Sequence, residues 1–347
     1  MSSTESPDTA TAAFPVPPAG PGRHGGAETV RTVTLPGLTL TVRAPAGPPA
    51  HGDEGDERAE EAAGGGAAEE REPALYVHGL GGSSQNWSDL MPLLADRVDG
   101  EAVDLPGFGH SPPPHDGNYS VSAQARAVIR HLDAAGRGPV HLIGNSMGGA
   151  VSTRVAAVRP DLVRTLTLVS PALPEVPPQL TAVPTALLAV PGIVGLFGRL
   201  THDWTPERRT REVLALCYGD PGRVSPEGFN AAAEEYARRL ELPYFWEVMQ
   251  RSARGLVNAY TLGGQHNLWR QAERVLAPTL LVYGGRDRLV SYRMARRAAA
   301  AFRGSRLLTL PEAGHVAMME YPETVARAVR ELLDSEVTDV TADAGRS

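Results

Sequence analysis

The chain has little of what would staple it, anchor it in a membrane or draw it to nucleic acid. There is one cysteine, Cys217, in 347 residues. No internal disulfide can form, a reducing compartment fits, and the residue reads as a small apolar filler. The first ten residues are polar and acidic and lack the basic-then-apolar order of a secretory signal, which points to the cytoplasm. Basic residues are not in excess: 33 Lys and Arg stand against 40 Asp and Glu, a net charge of −7. That imbalance lies in residues 1–72, with twelve acids and five arginines, and leaves the remainder near neutral. Nucleic acid calls for a basic face, so nothing here points to it as a partner. Long apolar runs are scarce too. Residues 181–198 are uncharged for 18 residues, the lower limit for a membrane span. Pro184, Pro191 and Gly192 break that stretch and no basic loops flank it, so it reads as a buried or lid-like segment without stable membrane insertion.

What is present is ordinary globular chemistry, 42% hydrophobic and 21% charged, in a chain long enough for one large domain with an insertion. Residues 1–27, rich in Pro, Ala, Ser and Gly, are expected to form a disordered tail, and residues 337–347 a second one. Residues 28–44 alternate β-branched and polar side chains around Pro36-Gly37, a hairpin pattern. Residues 45–72 return to low complexity and are expected to form a flexible loop, tolerated because closure entropy grows slowly with length. Beyond residue 73, short apolar runs at 74–77, 101–104, 140–143, 165–169, 279–283 and 306–310 lack alternation, as strands of a parallel sheet buried on both faces do. Helical stretches at 120–135, 147–158 and 322–333 separate or follow them. This order predicts an α/β fold. It is interrupted once, by residues 173–274, which read as helical at 225–240 and 244–257 and hold three of the four tryptophans. A loop of that length inside a compact domain is functional or a small domain of its own, and a helical cap is expected there. The core is then 28–172 and 275–336.

The chemical signal is Gly144-Asn145-Ser146-Met147-Gly148, directly after one expected strand and directly before a helix. That is the strand–turn–helix setting of a nucleophile elbow: small neighbours permit a strained turn, and the new helix directs its N-terminal N–H groups at the site. A serine nucleophile needs a base and the base an orienting carboxylate, following in the order Ser, acid, His. Three of the ten histidines follow Ser146, namely His202, His266 and His315. The first two fall in the expected cap, whereas His315 lies just past the strand at 306–310. Asp287, in Gly284-Gly285-Arg286-Asp287-Arg288, follows the strand at 279–283 and precedes His315 by 28 residues, room for one helix and one strand. The competing reading makes Asp287 a turn residue paired with Arg286 or Arg288. His78-Gly79-Leu80-Gly81-Gly82 follows another strand, so the backbone N–H groups of Leu80 and Met147 are candidates for an oxyanion hole. His78 itself reads as a structural hydrogen-bonding residue.

With Asp104-Leu105-Pro106-Gly107-Phe108-Gly109-His110-Ser111 added, these motifs resemble the α/β-hydrolase superfamily over roughly residues 73–172 and 275–335. The resemblance implies an α/β-hydrolase fold: a mostly parallel eight-stranded sheet flanked by helices, a helical cap inserted after strand six, and hydrolysis with no cofactor. No metal-ligand spacing is visible. The Gly144–Gly149 elbow is similar to that of meta-cleavage-product, carbon–carbon bond hydrolases, from which the chain departs by having Val316 after His315. Haloalkane dehalogenases and epoxide hydrolases carry an aspartate where this chain has Ser146. The expected activity is hydrolysis of a small to medium lipophilic ester, with carbon–carbon bond hydrolysis or ligand binding without catalysis as alternatives. Gly79, Trp87, Asn145, Trp246 and Val316 are candidate pocket residues; Trp87 either walls the acyl side or packs in the core. The apolar stretch 181–198 with Trp204, Tyr244, Phe245, Trp246 and Trp269 either meets a hydrophobic small-molecule substrate or forms the cap's own core.

Overall fold

The computed structural model describes residues 28–45 and 71–344, with side chains to residue 335. The tail expected at 1–27 and all but the ends of the loop expected at 45–72 lie outside the described residues, as do residues 345–347.

Eight strands form one sheet: β1 (Glu28–Leu35), β2 (Leu38–Pro45), β3 (Glu72–Val77), β4 (Val98–Asp104), β5 (Val140–Asn145), β6 (Val163–Val169), β7 (Thr279–Gly284) and β8 (Arg306–Leu310). Their order is β1-β2-β4-β3-β5-β6-β7-β8. β1 and β2 pair antiparallel across the Pro36-Gly37 turn, and β2 meets β4 antiparallel. All pairings from β4 through β8 are parallel. The absence of alternation in the central strands has its cause here: every residue of β5 and of β7 is buried, because helices cover both faces. Edge strand β1, facing solvent, keeps its Thr and Arg residues exposed.

The flanking helices are α1 (Val121–Ala135) and α2 (Met147–Val158) in the first half. Ser120 caps α1 by accepting from the Ala123 N–H at 3.2 Å, worth about 1 kcal/mol. Between β6 and β7 the chain leaves the sheet and forms α3 (Val183–Leu187), α4 (Ile193–Leu200), α5 (Pro206–Cys217), α6 (Pro226–Leu240), α7 (Phe245–Thr261) and α8 (Leu268–Ala272). The base of this insertion is closed by Trp269, whose Nε1–H donates to Pro174 O at 2.9 Å. The uncharged stretch 181–198 is divided by Gly192 (φ 82) into α3 and α4, with Leu196 half exposed. Among the described residues no helix is long and apolar enough to cross a membrane.

After β7 come α9 (Met294–Ala301), α10 (Ala317–Glu320) and α11 (Pro322–Ala344). The last helix runs through residues 337–344, which the sequence pattern had assigned to a disordered tail.

One hydrophobic cluster lies on each face of the sheet. Leu142 and Leu168, both fully buried, would each cost about 2–5 kcal/mol on truncation to alanine. The strand order places the functional region. From β3 the chain steps outward to β4 and then returns across β3 to β5, so the carboxyl ends of β3 and β5 flank a topological switch point, where open α/β sheets leave a crevice for ligands.

Candidate active site

At the end of β5, Ser146 has φ 53 and ψ −117, a conformation costing a non-glycine residue on the order of 1–3 kcal/mol. The surrounding backbone enforces it. Ser146 N–H donates to Val169 O at 3.0 Å, while Ser146 O accepts from the N–H groups of Ala150 and Ala172 at 3.1 and 2.9 Å. A glycine at 148 is required because a Cβ there would collide with the carbonyl oxygens of Val77 and His78. Helix α2 therefore starts hard against the end of β3.

The turn after β3 closes with Gly82 N–H on Gly79 O at 3.1 Å. It also touches the serine: a Cβ on Gly79 would lie 3.0 Å from Ser146 Cβ and 3.0 Å from Asn145 Oδ1. Among the described residues neither the Leu80 nor the Met147 N–H has a hydrogen-bond acceptor. Beneath the turn, fully buried His78 donates from Nδ1 to Gly79 O at 2.7 Å and accepts at Nε2 from Leu105 N–H at 3.0 Å. Burial pushes its imidazole down to about 4, so it is a neutral brace, as its structural reading anticipated. Buried Asp104 steadies the neighbouring loop by accepting from Ser84 and His110 N–H at 2.6 and 2.9 Å.

Two strands away, Asp287 follows β7 and His315 follows β8. Asp287 Oδ1 accepts from the N–H groups of Leu289 and Val290 at 2.8 and 2.9 Å, and Oδ2 meets His315 Nδ1 at 2.9 Å. Burial alone would raise the Asp287 carboxyl, but the nearby His315 and the two N–H bonds outweigh it and hold it below the usual carboxylate range. Asp287 also braces its own turn through Leu289 and Val290 N–H, but the expected pairing with Arg286 or Arg288 is not seen: Arg286 pairs with Glu312, and Arg288 donates to Ala215 O. Among the described residues no hydrogen bond joins Ser146 Oγ to His315. The two sites are linked through Asn145, whose Nδ2 donates to both Val169 O and His315 O at 3.0 Å.

The expected pocket residues separate. Gly79 lies against Ser146, as above. Asn145 is buried and its amide is spent on these backbone bonds, so it braces the rim instead of lining a pocket. Trp87 is fully enclosed beside Tyr76, ring centroids 5.4 Å apart, in the core cluster that also contains Val316. A large apolar side chain next to a strand gains more from complete burial than from facing a cleft. Trp246 stacks edge-on with Phe197 and Phe245 at 5.9 and 4.9 Å, within the insertion's own aromatic group. A small hollow of about 10 Å³ beside the turn after β3 is lined by Gly81, Phe108, Arg239, Leu242, Phe245, Val248 and Met249.

Three contacts were not visible in the sequence. Arg239 of α6, paired with Glu235, donates to Gly81 O and to Ser83 Oγ. His315 N–H donates to Cys217 O at 2.7 Å. Buried Glu320 accepts from Gly314, Gly219 and Asp220 N–H. Only Glu320 left a local signal, a lone acid in the apolar run Val316–Tyr321, which must find partners if buried. Among the described residues no group of three or more His, Cys, Asp or Glu is placed to hold a metal.

A parallel sheet with a helical insertion after β6, and a strained serine at its switch point, define an α/β enzyme of the hydrolase type. The chain belongs to the α/β hydrolase fold family, whose model matches residues 73–322. It is 30% identical over 259 residues to the dihydrolipoyllysine-residue acetyltransferase component of an acetoin cleaving system from Cupriavidus necator; the match covers 74% of this chain but spans only 61% of that relative's length. It is 28% identical over 272 residues to a pimeloyl-[acyl-carrier protein] methyl ester esterase of Neisseria meningitidis, covering 74% of this chain and 92% of the relative. In fold it is similar to the 2-hydroxy-6-oxo-6-phenylhexa-2,4-dienoate hydrolase of a Rhodococcus strain, with a TM-score of 0.67, 19% identity, and 89% and 100% of the two chains covered.

Proposed function

We propose that the chain is a serine hydrolase of small to medium lipophilic carboxylic esters, with Ser146 as nucleophile, His315 as base and Asp287 orienting that base. The observation that carries this is the buried Asp287–His315 bond at the same sheet rim as the strained Ser146. In the proposed reaction, Ser146 Oγ attacks the ester carbonyl as His315 Nε2 takes its proton. The oxyanion accepts from the Leu80 and Met147 N–H groups, each worth roughly 3 kcal/mol in such a site. The alcohol leaves with the proton from His315, and water repeats the sequence to release the acid. Asp287 stays ionised throughout and holds Nδ1 protonated. The apolar side chains Phe108, Leu242, Phe245, Val248 and Met249, which gather with Arg239 beside the turn after β3, support a lipophilic acyl group.

A second reading, carbon–carbon bond hydrolysis, is favoured by the Gly144–Gly149 elbow alone. A fluorophosphonate probe and a series of p-nitrophenyl esters of rising chain length separate the readings. Labelling of Ser146 with ester turnover supports the proposal. Labelling without ester turnover moves the assignment to carbon–carbon or other acyl chemistry, and an unlabelled Ser146 in folded protein makes the chain a non-catalytic binder.

A further inference from the structure

We infer that Glu320 is a positioning residue, one that sets the place of His315 by tying its loop to the helical insertion. This rests on the proposed role of His315 as base. Glu320 ends α10, five residues beyond His315, and is 3% exposed. Its Oε1 accepts from the N–H of Gly314, the residue preceding His315, at 2.7 Å. Its Oε2 accepts from Gly219 and Asp220, in the turn that follows α5, at 2.9 and 3.3 Å. The two segments it joins are in direct backbone contact: a Cβ on Gly314 would stand 2.6 Å from Tyr218 C, and one on Gly219 would stand 2.8 Å from Gly314 N. The same insertion turn holds α10 a second time, through Arg223 Nε on Glu320 O at 3.1 Å and the Arg223 guanidinium 4.2 Å from the Tyr321 ring centroid.

The chemistry of the side chain explains why an acid stands here. A carboxylate alone offers two acceptor oxygens and no donor, so it can face N–H groups on both sides. An amide of the same shape would turn an NH2 against one set of them. Burying a carboxyl is costly: burial pushes Glu320 above the usual carboxylate range, although the N–H groups of Gly314, Asp220 and Gly219 and the nearby Arg223 charge oppose it. A link made only for stability could be built from apolar contacts. This one instead fixes the peptide immediately before His315 relative to the insertion that helps line the hollow beside the turn after β3.

Glu320→Gln tests the inference, with kcat counted per active site titrated by the fluorophosphonate probe on a p-nitrophenyl ester. The expected result is kcat per site lowered about 10–100-fold, the scale of a displacement near 1 Å, with KM little changed and the thermal midpoint within a few degrees. A low-field proton NMR signal from the His315 Nδ1–H should shift or broaden. A merely structural Glu320 would instead lower the midpoint and the titratable fraction while leaving kcat per site and the NMR signal at wild type, and that would overturn the inference. Should Glu320→Gln not fold, Arg223→Ala decides, since it loosens the same link from the insertion side: a fall in kcat at constant KM supports the coupling and an unchanged kcat refutes it. Ser146→Ala separates the two levels. If it retains ester hydrolysis, the assignment of nucleophile and base fails; if it is dead while Glu320→Gln keeps full kcat per site, only the role of Glu320 falls.

Discussion

Asp287→Asn isolates the orienting role proposed for Asp287 from its structural one. The Asp287 carboxylate divides its work: Oδ1 holds the loop through Leu289 and Val290 N–H, and Oδ2 holds His315 Nδ1. Asparagine can keep its oxygen on the two N–H groups, so the loop should stay in place and the stability loss should not exceed about 1–2 kcal/mol. Its NH2 must then face His315 Nδ1 as a donor. The imidazole is forced to the tautomer with its proton on Nε2, where it can no longer accept the Ser146 proton. Turnover should fall on the order of 10⁴-fold, equivalent to about 5.5 kcal/mol of transition-state stabilisation. The assay is kcat/KM on a p-nitrophenyl ester, beside thermal unfolding of the same preparation. A folded Asp287→Asn enzyme within tenfold of wild type would refute the assignment of the acid.

Other substitutions probe the same rim. Ser146→Gly should abolish activity yet raise stability by about 1 kcal/mol, because release of the strained backbone exceeds the entropy cost of glycine; calorimetry showing destabilisation would argue against strain at 146. Asn145→Ala leaves His315 O without its Nδ2 donor, so it should cost about 1–3 kcal/mol in urea unfolding and lower kcat more than it raises KM. His78, held down to about 4 when folded, binds a proton only in the unfolded chain between that value and about 6.5. Stability should therefore fall as pH drops through this window, by at most about 3 kcal/mol, and His78→Gln should flatten the slope seen in urea midpoints at pH 7 and pH 4.5.

The fold could be read closely from the chain because its signals are local. The strand at 306–310 and the helix at 147–158 have the bounds their apolar patterns suggested, and the central strands gain only a residue or a few at their ends. Ser146, Asp287 and His315 are proposed on the same kind of signal, each lying at or shortly beyond the end of an apolar run. The pocket was not legible, because which aromatic side chain faces a cleft depends on how distant helices settle. Trp87 and Trp246 were reasonable candidates by position, but one is absorbed by the core and the other by aromatic neighbours in the insertion. The roles of Asn145 and Arg239 are equally non-local: their partners lie 170 and 158 residues away in the chain.

The rim draws its order from two sources. The strain at Ser146 is imposed by the sheet and α2, through bonds to Val169, Ala150 and Ala172. The other three loops are each held by the insertion. Arg239 grips the turn after β3 at Gly81 and Ser83. Gln179 donates to Asp287 O at 3.3 Å, and Thr181 to Arg288 O at 2.5 Å. Cys217 O receives the His315 N–H. The segment that helps line the hollow beside that turn is thus also the one that supports the groups proposed to surround the serine. A substitution in the insertion that reshapes this hollow should also shift the Leu80 turn, the Asp287 loop or His315. Under the proposed assignment, substrate preference and turnover are physically coupled: the Ser146 turn is held by core bonds to Val169, Ala150 and Ala172, yet it meets the same loops through Gly79 and through Asn145 on His315 O.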